Sequence, residues 1–412
     1  MDSLKNIVVL GGGFGGVHAA QRISRELQKN KLQDRYKVIL VDRHTAHVFT
    51  PRIYEVAAVP EASVRADAIR NAISFPLRAL LEREHIEFKE DSIIRIDPER
   101  RSVHLQSQEL PYEYLILATG SETHYFDIPG IERYARPLKT IDDALSIRKA
   151  IASLKDVQDG ESSHITVVGG GPTGVEVAAE IQMRNLKFQI SLLDPHDRIL
   201  SDFDARIADI VKEKLEKLGV HVVTRERVTR ATDTALVLES GEKIYFDVLL
   251  WTGGVRANKV TNALPFRKSA RGAIVVDEFA RCQYAKEGSP VETHVYAIGD
   301  VAYFHDEDRD LTAPARARHA IVESEIAANH MLGEIEKAEN LPVKARRSPS
   351  PYVDTPYVIP VGGKYAITKV GPFIIQGWIA HTFSHLIELN YFLSIMPFGT
   401  AIAAWFKSSL TF

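Results

Sequence analysis

Two stretches of this chain repeat one pattern, an apolar, β-branched run that passes straight into a glycine-rich turn. The first is Ile7-Val8-Val9-Leu10-Gly11-Gly12-Gly13-Phe14-Gly15-Gly16. The second is Ile165-Thr166-Val167-Val168-Gly169-Gly170-Gly171-Pro172-Thr173-Gly174. Helical spacing follows each, so each reads as strand, tight turn and helix. Strands that alternate with helices need crossovers, and those crossovers cover both faces of a parallel sheet. The chain is therefore predicted to be α/β, with two Rossmann-like units. The glycines let the turn tighten and let backbone approach a phosphate, while the next helix offers free N–H groups and a positive dipole end. Two such turns predict two dinucleotides, held so that electrons can pass between them.

An acidic residue ends the second strand of each unit. Lys37-Val38-Ile39-Leu40-Val41-Asp42 leads into Arg43, and Ile190-Ser191-Leu192-Leu193-Asp194 ends twenty residues after Gly174. A carboxylate there accepts hydrogen bonds from ribose hydroxyls and repels a 2′-phosphate. The second site is thus expected to prefer NADH over NADPH, with nearby Arg198 working against that preference.

Composition removes several classes. Cys282 is the only cysteine, so no intrachain disulfide forms and flavin-to-cysteine-pair chemistry is excluded; Cys282 reads as a structural residue. A formal net charge of -3 with no basic arm predicts no nucleic-acid partner. The chain enters its first strand almost at once, which predicts no signal peptide and a cytoplasmic bulk.

The order of elements predicts an insertion. The first unit runs to Tyr114-Leu115-Ile116-Leu117-Ala118-Thr119-Gly120, and the second ends at Val248-Leu249-Leu250-Trp251-Thr252-Gly253-Gly254. A further strand, His294-Val295-Tyr296-Ala297-Ile298, stops at Gly299-Asp300. We read residues 1–125 and 252–335 as one discontinuous domain, 126–251 as the inserted one, and 336–412 as a C-terminal segment behind the linker Ala345–Pro351. Residues 371–412 carry only two formally charged side chains, Glu388 and Lys407. Within them Trp378, Ile379, Phe383, Leu386, Ile387 and Leu393 approximate one helical face, with His381, Thr382, Ser384, His385 and Glu388 among the polar positions. The runs fall short of the roughly 20 residues that span a bilayer, and Pro397 divides them. An amphipathic helix at the membrane surface is expected; a homodimer interface or a capping helix is the alternative.

Taken together, the two glycine turns, His47-Val48-Phe49-Thr50-Pro51, Ala118-Thr119-Gly120, Gly174-Val175-Glu176, Trp251-Thr252-Gly253-Gly254-Val255-Arg256 and Ile298-Gly299-Asp300 resemble the two-dinucleotide-binding flavoproteins, and among them the type II NADH dehydrogenases. The resemblance implies FAD at the first turn, NADH at the second and a membrane quinone as acceptor. It further implies no proton pumping and a peripheral place on the cytoplasmic face of the membrane. It assigns Gly11, Gly13 and Gly16, with Phe14 and Gly15 between them, to the FAD pyrophosphate, and Asp42 with Arg43 to the adenosine ribose. Gly299 and Asp300 fall to the ribityl chain or pyrophosphate, Thr50 and Pro51 to the isoalloxazine, and Ala118, Thr119 and Gly120 to the nucleotide crossover. Gly169, Gly171, Thr173, Gly174 and Asp194 fall to NADH, flanked by Thr252, Gly253 and Gly254. Nothing in this scheme calls for a metal ion.

Glu176, read as lying in the first helical turn, gains about 0.5 kcal/mol from the helix dipole. The resemblance implies a catalytic role, orienting the nicotinamide or relaying a proton. One segment departs from the family, which usually carries Ala-Gln-x-Ala-x-Gln after the Gly-Asp element. Here Thr312-Ala313-Pro314-Ala315-Arg316-Ala317-Arg318-His319-Ala320-Ile321 holds no glutamine. Arg316, Arg318 and His319 are the candidate replacements at an acceptor site. Two other readings stay open: a soluble NADH-dependent reductase of a small electron-transfer protein, and a flavin redox sensor in the manner of apoptosis-inducing factor.

Overall fold

A computed structural model describes residues 4–154, 162–185, 187–286, 292–352 and 356–411. Two five-stranded parallel sheets organise it, and each is built the same way. In the first, the order across the sheet is Val295–Ala297, Tyr114–Leu117, Lys5–Leu10, Tyr36–Asp42 and Glu87–Glu90. In the second it is Arg136–Pro137, Val248–Trp251, His164–Val168, Gln189–Asp194 and Val220–Thr224. The inner residues of the central strands are mostly apolar because helices cover both sheet faces; Ile7 to Leu10 and Leu115 to Leu117 are fully buried. A three-stranded antiparallel excursion follows the edge strand of each sheet, Ile93–Asp97 with its neighbours after Glu87–Glu90 and Val228–Ala231 with its neighbours after Val220–Thr224.

Val295–Ala297 returns to the first sheet after the whole second sheet has been made, so the second unit is inserted in the first. The two connections between the units pair with each other, Ser121–Thr123 running antiparallel to Val255–Ala257. Cys282 is buried at a bridge with Val276 and is free.

The C-terminal segment is a three-stranded antiparallel sheet, Tyr357–Pro360, Ala366–Val370 and Phe373–Gly377, followed by helices Trp378–Ile395 and Phe398–Thr411. The stretch before it is irregular but anchored, since Arg346 donates to both carboxylate oxygens of the buried Glu336. Phe392 lies edge-on to Phe49 and Phe75 in the main core. Its burial contributes about 1.5–3 kcal/mol to holding the tail helix on the first unit.

The tail helix is apolar on two faces. Ala380, Phe392 and Ile395 are buried together with Glu388, which is only 2% exposed, while Trp378 is 70% and Leu386 52% exposed on the outward face. Among the described residues no helix is long and apolar enough to cross a membrane.

Candidate functional site

Both glycine turns take the same shape. Gly11 has φ +114° and Gly169 φ +112°, the left-handed region that glycine alone enters freely. In each copy the last glycine lets the helix pack on the turn: a Cβ on Gly16 would collide with the Gly11 carbonyl, and one on Gly174 with the Gly169 carbonyl. Gly13, Gly120 and Gly171 differ, because a Cβ on them would meet nothing within 4 Å. They border open space.

At Gly13 and Gly120 that space is a cleft of about 600 Å³ between the two units, which the second turn borders through Pro172 and Thr173. Gly13, Phe14, Gly15, Thr50, Pro51, Ala118, Thr119, Gly120, Gly299 and Asp300 line it from the first unit, and Thr173, Glu176, Thr252 and Gly254 from the second. A smaller cavity of about 190 Å³ continues past Thr119 to Gly11, Asp42 and Arg43. A shallower polar recess of about 880 Å³ around Arg133, Arg256 and Lys259 contains neither turn.

Helix N-termini converge on the cleft. Helix Phe14–Lys29 starts after Gly13, helix Pro172–Arg184 after Gly171, and the long helix Ala317–Ala338 after Arg316. None has a side-chain cap or an acidic residue in its first turn. Their free N–H groups and positive dipole ends suit the phosphates of a dinucleotide. The Thr119 hydroxyl, buried where the two cavities meet, has no hydrogen-bond partner among the described residues, which leaves it a donor for a ligand. Uncapped helices, bare glycines and an orphaned hydroxyl together fit an extended dinucleotide such as FAD on the first turn.

The two acidic residues hold their turns. Asp42 Oδ2 accepts from Gly12 N at 2.6 Å and Oδ1 from His44 N at 2.7 Å. Asp194 Oδ2 accepts from Gly170 N at 2.6 Å, and Oδ1 from His196 N at 2.9 Å, with His196 Nδ1 2.7 Å away. Carboxylate oxygens have lone pairs left for ribose hydroxyls. Arg198 donates locally to the carbonyls of Ser201 and Phe203. Gly253 packs on the Trp251 ring, and Thr252 donates to the Val168 and Gly169 carbonyls.

Glu176 is the fifth residue of its helix and so opens the second turn, not the first, where the dipole is weaker. Burial, reinforced by the nearby Glu55 carboxylate, pushes its carboxyl well above the usual range, which favours the protonated form. Tyr54, also on the cleft wall, donates to Glu55 Oε1 at 2.9 Å. Behind them Arg52 donates from Nη1 to Glu55 at 2.9 Å and from Nη2 to Glu388 of the tail helix at 2.6 Å. Arg52 Nη2 also reaches His385 Nδ1 at 3.0 Å; burial beside Arg52 lowers that imidazole to about 4, so it accepts.

Of the three acceptor-site candidates, only Arg316 lines the cleft, its guanidinium over the rings of Phe203 at 4.5 Å and Tyr357 at 5.1 Å. Arg318 is exposed near His18, and His319 is buried. Several contributors left no signal in the sequence. Lys139 Nζ and Ser121 Oγ reach Asp300 Oδ2 at 3.3 and 2.5 Å. Glu323, buried and pushed up by that burial, accepts from Gly299 N at 2.6 Å and holds the Gly-Asp turn.

Comparison with known proteins agrees with this architecture. Over residues 5–324 the chain matches the family model described as pyridine nucleotide-disulphide oxidoreductase. It is 27% identical over 319 residues to the NADH dehydrogenase-like protein YutJ of Bacillus subtilis, covering 77% of this chain and 82% of that one. To the type II NADH:quinone oxidoreductase Ndh of Mycobacterium tuberculosis it is 25% identical, covering 97% and 87%. The solved structure of NDH2 from Plasmodium falciparum in complex with RYL-552 superposes with a TM-score of 0.79 at 19% identity, covering 99% and 98%, which establishes a shared fold. With its duplicated sheets and glycine turns, and with one cysteine that can form no disulphide within the chain, this protein belongs to the pyridine nucleotide-disulphide oxidoreductase family.

Proposed function

We propose that the protein oxidises NADH through FAD and passes the electrons to a membrane quinone, without pumping protons, from the cytoplasmic face of the membrane. The observation that carries this reading is the single cleft onto which both glycine turns open, with Glu176 on its wall. The names of the relatives, type II NADH:quinone oxidoreductases among them, support the same chemistry. Residues 1–125 with 252–335 hold FAD in this reading, and the inserted 126–251 holds NADH.

Bound FAD would supply the redox chemistry, taking a hydride from NADH and releasing two electrons to the acceptor. The protein's part is placement. Helix N-termini at Phe14 and Ala317, with Lys139 beside Asp300, steady the FAD phosphates and ribityl chain. Gly171, Gly174 and Asp194 seat NADH so that its ring faces Thr50 and Pro51. Arg316, lying over the paired rings of Phe203 and Tyr357, closes one wall against water. Glu176 keeps a proton at its carboxyl beside the reacting rings, available as a hydrogen-bond donor or for the reduced acceptor.

The outward stripe of Trp378, Ile379, Phe383, Leu386 and Ile387 lies on the membrane in this account. Adsorption there is driven by apolar area, since the tail offers few cationic side chains for anionic lipid. A soluble protein acceptor is the second reading, favoured by the glutamine-free segment around Arg316. Steady-state turnover with NADH and NADPH against a panel of quinones separates the two. Quinone-dependent NADH oxidation with released FAD as the flavin supports the proposal, and turnover only with a protein acceptor overturns it.

A further inference from the structure

The tail helix reaches the first glycine turn directly. Tyr391 Oη lies 2.8 Å from His47 Nε2, and His47 Nδ1 lies 2.9 Å from the Gly12 carbonyl, all three residues being buried. The direction of this chain is fixed by chemistry. A carbonyl only accepts, so Nδ1 carries the hydrogen; burial lowers the His47 imidazole to about 4, so the ring is neutral and has one N–H. Nε2 therefore accepts, and Tyr391 donates. The Phe14 ring, at the start of the glycine helix, packs at 4.7 Å from the Tyr391 ring and edge-on to His47 at 5.0 Å. On its other side Gly12 donates its N–H to Asp42. Both polar groups of this residue, between Gly11 and Gly13, are thus held by side chains.

The second turn provides an internal comparison. Gly170 also donates its N–H to its acidic residue, Asp194. Its carbonyl, however, is held by the backbone N–H of Leu200 at 2.8 Å, within the same unit. Among the described residues it is the first turn whose carbonyl is tied to the C-terminal segment, across 344 residues between His47 and Tyr391.

We propose that Tyr391 is a positioning residue which, through His47, couples docking of the tail helix to the shape of the first glycine turn, so that the flavin dinucleotide is held tightly only while that helix is docked. This rests on reading the first turn as the FAD pyrophosphate site. Coupling between two sites is reciprocal: FAD binding fastens the tail helix as much as the tail helix fastens FAD. The helix whose apolar stripe faces outward thereby reports whether the flavin site is filled.

The test uses the full chain stripped of flavin and titrated with FAD, following quenching of flavin fluorescence. Tyr391→Phe keeps the ring and removes the hydroxyl, leaving His47 Nε2 buried without its donor. The dissociation constant should rise roughly tenfold, the effect of one unsatisfied buried group. Tyr365→Phe, which loses a hydrogen bond to Gln376 on the tail sheet, should leave it unchanged. Hydrogen exchange supplies a readout that needs no variant. In the wild type FAD should slow exchange in residues 378–395, and in Tyr391→Phe this protection should largely vanish. Equal FAD affinity in Tyr391→Phe and wild type, or exchange in 378–395 indifferent to FAD, overturns the coupling alone. A wild-type chain that takes up no FAD overturns the proposed function as well.

Discussion

Replacing Arg52 with methionine removes the one charge that Glu55 and Glu388 share, while a side chain of similar length stays in place. Arg52, Glu55 and Glu388 have side chains only 10%, 10% and 3% exposed, so the two carboxylates would be left in the interior without their counter-charge. Breaking such a buried arrangement costs about 3–5 kcal/mol. Unfolding entropy near 2.1 cal/mol/K per residue gives roughly 0.9 kcal/mol/K for a chain of 412 residues, hence a fall in Tm of about 3–6 °C. The deficit depends on pH in a definite direction. Burial already raises the Glu55 carboxyl with Arg52 in place; without that cation it sits further above its unfolded value near 4.3, so the folded state binds more protons and stability is lost as pH rises through that window. Thermal unfolding followed by circular dichroism should therefore show the largest deficit near pH 8 and a smaller one near pH 5. Adding Glu55→Gln and Glu388→Leu to Arg52→Met should recover most of the loss, because no unpaired charge remains. A Tm change under about 1 °C, the size expected of a solvated surface pair, or a triple variant that is simply additive, would refute the argument that this cluster fastens the tail to the core.

Other expectations follow from the same geometry. Gly16→Ala and Gly174→Ala push a methyl into the carbonyls of Gly11 and Gly169; the first should purify without flavin, while the second should keep flavin and lose NADH-dependent reduction, both read from absorbance spectra. Glu176→Gln should lower turnover by about 100-fold if the carboxyl supplies a proton. Because the Glu176 pKa is raised, wild-type activity should fall on the alkaline side as that proton is lost, and the variant's pH profile should lack this limb. Trp378→Ser with Phe383→Ser and Leu386→Ser should abolish co-sedimentation with neutral lipid vesicles while leaving dye-linked NADH oxidation intact. Retained vesicle binding would contradict the interfacial role of the exposed stripe.

Local pattern carried the fold well. The β-branched runs before Gly11 and Gly169, the acidic ends at Asp42 and Asp194, and the late strand at Val295 were readable because each obeys a short-range rule of strand, turn and close approach. The tail was readable only by composition. Its apolar stripe was visible, but which stripe faces inward depends on Arg52 and Glu55, more than 300 residues earlier. Separation in sequence also hid the links from Tyr391 to His47, 344 residues apart, from Lys139 to Asp300, 161 apart, and from Glu323 to Gly299, 24 apart, since tertiary pairing leaves no periodic trace. Arg316, Arg318 and His319 lie close together in sequence, yet helical rotation sends them to three environments, and only Arg316 meets the cleft. Glu176 falls in the second helical turn and not the first because the helix already starts at Pro172, a boundary the glycine spacing does not mark.

In the proposed mechanism one cleft joins an NADH site to a flavin site, and the electrons leave for a quinone. Anaerobic stopped-flow absorbance on the purified, flavin-loaded protein tests it most directly, with NADH mixed first and a quinone second. The account predicts rapid bleaching of the flavin band by NADH and its rapid return on adding quinone. Flavin that NADH leaves oxidised, or reduced flavin that no quinone reoxidises, would contradict it.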